Sequence, residues 1–345
     1  MERVRPQNRK QSRTAAGLLF VLTLAFLPAC ERTPGSSAGP PLRVGAYYWP
    51  GMYWVDIAHH QGWFREAGLN VERVDTNPDY FKSFDDLFND KLDVVAFTLF
   101  DFILHNARGQ RVVGFVAADY SSGAEALIAR PGIRNVRELA GKKLALSKNT
   151  YLDYIWAIVA QRVGLDPKTV RIVNTTPEKA HELLVRGTVD AILTWEPYAT
   201  QGLNAIKGAR LFDTAQLPGL LWNVYSARPD VLEKRKSELQ AFVRVWHRTI
   251  QFIQRQPEQA FAIVADVNWK TTDQIRAFAS QDHILDLRDN LTAFSFAAGF
   301  ESLHGSTRQM NDFMLRRGIA ATQLDTAPLF DSRLLRGLAP AGAKP

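Results

Sequence analysis

Residues 42–74 read LRVGAYYWPGMYWVDIAHHQGWFREAGLNVERV, and this stretch decides the fold class. Leu42 to Ala46 is short and apolar, as expected for a buried strand. Apolar residues then recur at helical spacing from Trp54 to Ala67, and Gly68 ends the predicted helix. Val71 to Val74 is a second strand-like segment. The stretch therefore predicts a strand–helix–strand unit.

Strand-like and helix-like segments keep alternating beyond this unit. Further strands are predicted at Asp93–Thr98, Val112–Ala118, Ala126–Ala129, Lys143–Leu146, Val170–Val173 and Asp190–Trp195. This alternation is typical of an α/β fold with parallel-rich sheets covered by helices. After Pro229 amphipathic helices dominate, and the two longest are predicted at Leu232–Gln254 and about Leu291–Arg317.

The N-terminus has the pattern of an export signal with a lipid-attachment cysteine. Five basic residues precede a short apolar run at 15–26, which is too short to span a bilayer comfortably. The run ends in Leu-Pro-Ala-Cys at 27–30, which resembles the bacterial lipobox, in which the cysteine becomes the lipidated first residue. We therefore predict a lipoprotein signal at 1–30, lipidation of Cys30 and a flexible tether at 31–41. An uncleaved anchor, or a plain signal peptide with a chance cysteine, remains the alternative, and each places the rest of the chain outside the cytoplasm.

Composition excludes several classes of function. The chain has 345 residues, of which 46% are hydrophobic and 22% are charged, as in ordinary globular proteins. The net charge of +7 includes five positive charges in the predicted signal, and no basic cluster recurs, so nucleic acid is not an expected partner. The single cysteine, Cys30, excludes an intrachain disulfide.

An ordered set of motifs resembles one family. Trp49-Pro50-Gly51, with the segment 58–71, is similar to the opening of nitrate/sulfonate/taurine-type solute-binding proteins of ABC importers. The same superfamily includes binding proteins for thiamine-precursor pyrimidines. Further matching segments follow in the family's order at 119–126, 136–143, 187–191, 195–197 and 216–219. The resemblance covers Leu42 to about Leu338.

The resemblance implies a two-lobed periplasmic-binding-protein fold, type II-like, with a ligand cleft between the lobes. Lobe 1 is expected at 42–121 and 222–338, lobe 2 at 130–220, and the crossover hinge strands at 122–129 and 221–227. The implied function is to capture a small organic solute by lobe closure and deliver it to an ABC permease. The protein is expected to be a monomer in the periplasm or at the cell surface, with no cofactor and no metal.

Physical reasoning places the site at the carboxyl ends of the strands, where open α/β sheets bind ligands. The candidate ligand-binding residues are Tyr47, Tyr48, Trp49, Thr98, Asp119, Ser122, Asn149, Thr150, Tyr151, Asp153, Trp195 and Glu196. Several have a structural alternative: Ser122 as a turn residue, Thr150 as a helix cap and Glu196 as a carboxylate at a helix start. Helix N-termini suit an oxyanion, whereas aromatic residues beside carboxylates suit a nitrogenous solute, and we lean towards the latter.

Two other functions compete with transport. A tethered ligand sensor that reports to a membrane receptor has the same site. A pyrimidine-synthase-like enzyme is disfavoured, because yeast synthases that resemble the opening segment carry a histidine where this chain has Met52, and they also need a cysteine-rich iron motif. We therefore predict that the chain is not an enzyme.

Overall fold

Two separate β-sheets organise residues 39–338, which are the residues that the computed structural model describes. The strands are β1 (Leu42–Ala46), β2 (Val71–Asp75), β3 (Val94–Thr98), β4 (Val113–Ser121), β5 (Glu125–Ala129), β6 (Lys143–Leu146), β7 (Arg171–Asn174), β8 (Ala191–Trp195), β9 (Ala209–Asp213), β10 (Trp222–Ala227) and β11 (Asp282–Ile284). The helices are α1 (Tyr53–His60), α2 (Trp63–Glu66), α3 (Lys82–Phe88), α4 (Leu99–Ala107), α5 (Tyr151–Arg162), α6 (Pro177–Val185), α7 (Tyr198–Ile206), α8 (Pro229–Lys234), α9 (Lys236–Arg255), α10 (Pro257–Val267), α11 (Thr272–Ala279), α12 (Leu287–Ala293), α13 (Leu303–Arg316) and α14 (Arg333–Arg336).

The first sheet has the strand order β11-β4-β10-β3-β1-β2, and we call it sheet A. The strands β1, β2 and β3 are parallel, as the alternation predicts. β10 runs antiparallel to both of its neighbours, β3 and β4, and β11 is antiparallel to β4. The sheet is therefore mixed, and the amino end of β10 lies at the same edge as the carboxyl ends of β1 and β3.

The second sheet, sheet B, has the order β7-β6-β8-β5-β9. Here β6, β7 and β8 are parallel, while β5 is antiparallel to β8 and β9. The chain passes from sheet A to sheet B between β4 and β5, and it returns between β9 and β10. In each sheet a reversed strand, β10 in sheet A and β5 in sheet B, lies directly beside a crossing of the chain, and sheet A has a second reversed strand, β11. The predicted α/β class is confirmed.

Aromatic packing holds the helices against sheet A. Trp54 of α1 is buried and meets Phe242 of α9 at 4.8 Å and Tyr225 of β10 at 5.4 Å between ring centroids, in edge-to-face geometry. Such pairs add to the large apolar area that each ring buries. This core fixes β10 against the helices that follow it and so fixes the sheet edge at which the site lies.

Three predicted helices differ from the structure. The predicted helix at 54–67 is divided into α1 and α2 at Gly62, whose φ of 71° is left-handed. The predicted helix at 232–254 is divided into α8 and α9, and the one at 291–317 into α12 and α13. Amphipathic spacing continues across each break, so the periodicity alone does not reveal it. The strands β9 and β11 were not predicted.

The described residues also bear on the membrane. Within residues 39–338, no helix has both the length and the apolar character needed to cross a bilayer. The predicted signal, Cys30 and most of the tether lie outside the described residues.

Candidate functional site

A cavity of about 400 Å³ lies between the two sheets, at the edge that holds the carboxyl ends of their parallel strands. Its volume is within the range of ligand sites for small organic molecules. Its lining comes from both sheets and consists of Tyr47, Trp49, Met52, Tyr80, Phe81, Thr98, Asp101, Glu125, Ser147, Thr150, Tyr151, Thr176, Pro177, Glu178, Trp195, Leu221 and Asn223. A ligand in this cavity contacts both halves of the fold at once.

Aromatic rings form the walls of the cavity. On the side of sheet A, Tyr47 and Tyr80 meet at 5.2 Å between ring centroids. On the side of sheet B, Tyr151 and Trp195 are stacked at 5.9 Å, with 25° between the ring planes. Flat, partly exposed faces of this kind favour a flat or cationic ligand.

Carboxyl groups face the cavity from both sheets. Glu125, the first residue of β5, is only 1% exposed, and its Oε2 has no hydrogen-bond partner among the described residues. Burial raises the pKa of Glu125 to about 7. Asp101 accepts a hydrogen bond from Thr98 Oγ1 at 2.7 Å, and burial raises its pKa to about 6. Glu178 is exposed and lines the cavity after β7.

The lining carries no basic side chain. Among the described residues that line the cavity there is no lysine, arginine or histidine. The phenol of Tyr151 lies close enough to Glu125 for that carboxylate to raise the pKa of Tyr151, in addition to the larger effect of burial. The polar part of the cavity is therefore built from carboxyl, hydroxyl and amide groups.

Three helices begin at the cavity, and each is capped by a threonine. Thr98, Thr150 and Thr176 accept hydrogen bonds from the backbone N–H groups of Asp101, Leu152 and Lys179, respectively. Helix N-termini carry partial positive charge and attract anions. The threonine hydroxyls already satisfy one N–H group of each helix, which leaves fewer free donors for a ligand.

A second layer of acidic residues lies behind the lining. Asp119 is fully buried, and its Oδ1 accepts a hydrogen bond from Nδ2 of Asn223 at 2.6 Å. Gly51 packs so closely on this carboxyl that a Cβ there would lie 1.8 Å from Oδ2. Burial raises the pKa of Asp119 to about 8 and also raises that of Asp282 on β11, which Asp119 raises further. This layer positions Asn223, which lines the cavity.

The structure brings part of the predicted set together in the cavity. The predicted residues that line it are Tyr47, Trp49, Thr98, Thr150, Tyr151 and Trp195. All of them follow the carboxyl ends of β1, β3, β6 and β8 or end those strands. The strand-end rule therefore identifies much of the lining.

The other predicted residues lie outside the lining. Tyr48 packs against Tyr53 and Phe278 at 5.5 and 5.6 Å. Asp119 lies behind Asn223, whose side-chain amide donates to it. The backbone N–H of Ser122 donates to the carbonyl of Gln281 at 3.0 Å, in the turn between β4 and β5.

The remaining three are held by local structure. Asn149 is exposed and left-handed, with a φ of 60°. Asp153 accepts from Nη2 of Arg317 at 2.9 Å, on the far side of α5 from the cavity lining. Glu196 accepts from Nη2 of Arg210 at 3.0 Å and from the backbone N–H of Thr200 at 3.0 Å, at the start of α7.

Sequence reasoning missed several lining residues. Those not in the predicted set are Met52, Tyr80, Phe81, Asp101, Glu125, Ser147, Thr176, Pro177, Glu178, Leu221 and Asn223. Tyr80 and Thr176 follow β2 and β7, so the strand-end rule finds them once it is applied to those strands. Glu125 and Asn223 lie at the amino ends of the reversed strands β5 and β10, and the periodicity of the sequence carries no signal for that reversal.

Metal ligation has no candidate in this part of the chain. Across residues 39–338, no three histidine, cysteine, aspartate or glutamate side chains are grouped so as to hold a metal ion.

Comparison with known proteins shows the family. The chain belongs to the NMT1/THI5-like family, whose model matches residues 50–260. A Bacillus subtilis (strain 168) protein named as a candidate aliphatic sulfonates-binding protein is 26% identical over 265 residues, or 73% of this chain and 78% of that protein. The resemblance read from the motifs is thereby confirmed.

Solved structures show the fold. The periplasmic aliphatic sulphonate binding protein SsuA from Escherichia coli matches with a TM-score of 0.70 at 19% identity, covering 86% of this chain and 100% of that one. The desulfurization enzyme DSZB matches with a TM-score of 0.62 at 11% identity, covering 87% of this chain and 98% of that one. The two-lobed α/β periplasmic-binding-protein fold is confirmed, and proteins of different activity share it.

Proposed function

We propose that this chain is the solute-binding component of an ABC importer, which captures a small organic solute and delivers it to a permease. One observation carries the proposal: a cavity of about 400 Å³ is lined from both sheets by aromatic and hydrogen-bonding side chains. A cleft between two α/β units is the usual place for such a ligand. The name of the Bacillus relative, which is that of a solute-binding protein, supports the binding part of the proposal.

The proposed mechanism is closure of two lobes. We assign lobe 1 to 42–121 and 222–338, lobe 2 to 130–220, and the hinges to 122–129 and 221–227. The free protein samples open and closed arrangements, and the solute favours the closed one because it then contacts both lobes. Closure buries the solute and brings together a surface that the permease recognises.

The proposal is one of binding, not of catalysis. The described residues that line the cavity carry aromatic, hydroxyl, carboxyl and amide groups, and the proposal assigns them to recognition of a solute. The match to a desulfurization enzyme rests on fold at 11% identity and does not transfer its activity.

The proposed location is outside the cytoplasm, with a lipid on Cys30 anchoring the chain to the membrane. The Leu-Pro-Ala-Cys run and the basic residues before it support this. Lipidation together with the tether keeps the soluble part near the permease. Expression of a Cys30→Ser variant is expected to move the protein from the membrane fraction to the soluble fraction. A variant that stays in the membrane fraction contradicts the lipid anchor.

A thermal-shift screen tests the binding function. The panel pairs anions (taurine, alkanesulfonates, nitrate) with nitrogenous solutes (amidines, aminopyrimidines, polyamines). A ligand present at about 100 times its Kd stabilises the native state by roughly 2.7 kcal/mol, which raises the melting temperature visibly. Trp195→Ala is expected to abolish the shift because Trp195 forms the wall with Tyr151.

Tyr48→Ala is the matched control, since Tyr48 is an aromatic residue between the lining residues Tyr47 and Trp49 but lies outside the lining itself. It is expected to keep the ligand-induced shift. If Tyr48→Ala loses the ligand-induced rise in melting temperature and Trp195→Ala keeps it, the site lies elsewhere. A panel in which no solute raises the melting temperature would count against solute binding.

A further inference from the structure

The charge of the cavity differs in sign from the charge that a sulfonate site needs. Three acidic side chains (Asp101, Glu125 and Glu178) line it, and no basic side chain does among the described residues. An ionised sulfonate placed there meets like charges in a partly desolvated space, where electrostatic repulsion is strong.

The helix N-termini do not reverse this balance. Three helices begin at the cavity, and each contributes roughly half a positive charge. Their sum is about +1.5, against about −3 at about pH 8, where Asp101 and Glu125, with pKa values of about 6 and about 7, are ionised. The threonine caps also occupy part of the N–H groups that an oxyanion would use.

One carboxyl oxygen of Glu125, Oε2, is buried without a hydrogen-bond partner among the described residues, while the nearby hydroxyl groups of Ser121 and Thr214 lower the pKa of this carboxyl against the larger effect of burial. Only 1% of the surface of this residue is exposed, and its Oε2 accepts no hydrogen bond from the described residues. A buried carboxyl group without a donor costs free energy, and a ligand that brings an N–H donor removes that cost. Its raised pKa, about 7, reflects this burial, and a cation bound beside it favours the ionised form.

We propose that the solute is a small, flat nitrogenous cation of the amidine or guanidine class, with Glu125 and Asp101 accepting its N–H groups. This inference rests on the proposed binding function and names the ligand class of the same cavity. Glu125 belongs to sheet B and Asp101 follows β3 of sheet A. Glu125 lies in the proposed hinge segment at 122–129, so a ligand with N–H groups on two sides links lobe 1 to the hinge strand of sheet B.

The aromatic walls complete the recognition. Trp195 and Tyr151 are stacked on one side, and Tyr47 and Tyr80 lie on the other. A flat cation between such faces gains cation–π and stacking contacts that a sulfonate does not. The carboxyl groups and the rings thus select for the same charge and shape.

Three probes with one phenyl ring test the charge preference. Benzamidine is a cation, benzamide is neutral, and benzenesulfonate is an anion of similar size. Binding is measured by titration calorimetry on the lipidated chain in detergent at about pH 8. At this pH the carboxyl group of Glu125, whose pKa is about 7, is mostly ionised. We expect benzamidine to bind at least about 10-fold more tightly than benzamide, and benzenesulfonate not to bind.

The variants test the residues. Glu125→Gln is expected to weaken benzamidine roughly 10- to 100-fold and to change benzamide far less, because only the charge-assisted hydrogen bond is lost. Asp101→Asn makes the same test from the other sheet, should Glu125→Gln fold poorly. Glu182→Gln is the matched control, since Glu182 is exposed on α6 and pairs with Arg186.

The outcomes separate the ligand class from the function. Benzenesulfonate binding more tightly than benzamidine, or benzamidine affinity unchanged in both Glu125→Gln and Asp101→Asn, overturns the cation inference. A sulfonate that binds and loses its affinity in Trp195→Ala also overturns it, but leaves the solute-binding function standing. Failure of every probe and every solute of the screen counts against both.

Discussion

At the scale of single residues, the acidic groups behind the cavity have strongly raised pKa values. Asp119 is fully buried beside Asn223, and burial raises its pKa to about 8. Asp282 has no hydrogen-bond partner on either oxygen among the described residues, and burial and Asp119 both raise its pKa. The native state therefore favours the protonated forms of both groups.

This preference predicts a pH-dependent stability. A carboxyl group whose native pKa is raised binds its proton more tightly when folded, so its contribution is complete below about pH 4 and is lost as pH rises to about 8. We expect the melting temperature to fall between about pH 5 and 9. Asp119→Asn keeps the shape, cannot ionise and removes the charge that raises the pKa of Asp282. The variant should lose less stability over this range, and each 1 kcal/mol corresponds to roughly 1.5 °C in a chain of this size.

Asp86→Asn is the control for this measurement. Its hydrogen bond with Lys82 lowers the pKa of Asp86, so its titration falls below the range tested. Both variants leave unchanged the neighbouring residues that act on these carboxyl groups, namely Lys91, Gly51, Trp49 and Glu125. Equal slopes of melting temperature against pH in the wild type and Asp119→Asn would refute the role of Asp119.

Individual residues also show which parts of the cavity lining the sequence predicts and which it does not. Trp195 and Tyr151 were found because they follow parallel strands, but Asp153 and Glu196 were predicted by the same rule and lie outside the lining. Asp153 pairs with Arg317, which is 164 positions away along the chain. A partner so distant in sequence is not visible in a local pattern.

At the scale of elements, strand direction accounts for the main omission. Thr98 and Trp195 were predicted, and the structure pairs Asn223 with Thr98 and Glu125 with Trp195 in the sheet registers. Each missed residue thus lies directly beside a predicted one. Because β5 and β10 run antiparallel, their amino ends reach the cavity, and periodicity does not report direction.

Helices show a related limit. The strand–helix–strand alternation predicted the α/β class and most of the strands correctly. The helix predicted at 54–67 is nevertheless broken at Gly62, in the left-handed conformation that glycine adopts at low cost. Hydrophobic spacing is set by which face is buried, and α1 and α2 bury the same side of the chain on either side of the break.

At the scale of the whole molecule, the proposed closure is open to direct measurement. Cys30 is the only cysteine, so a Cys30→Ser background accepts two engineered thiols without interference. Lys82 and Lys179 are exposed and each follows a lining residue, Phe81 on the side of sheet A and Glu178 on the side of sheet B. Nitroxide labels on Lys82→Cys and Lys179→Cys therefore report from opposite sides of the cavity.

Closure predicts that the distance between these labels shortens when the solute binds. A ligand that contacts both lobes shifts the population towards the closed arrangement by its differential affinity for it. Pulsed dipolar spectroscopy should show a shorter distance with saturating ligand, and Trp195→Ala should remove the change. A second pair, at Lys82 and the exposed Arg244 of α9, reports within the sheet A side and should not move. Binding by calorimetry with an unchanged Lys82–Lys179 distance would mean that the solute enters a rigid cleft, and the permease would then have to recognise the solute-loaded protein by some feature other than closure.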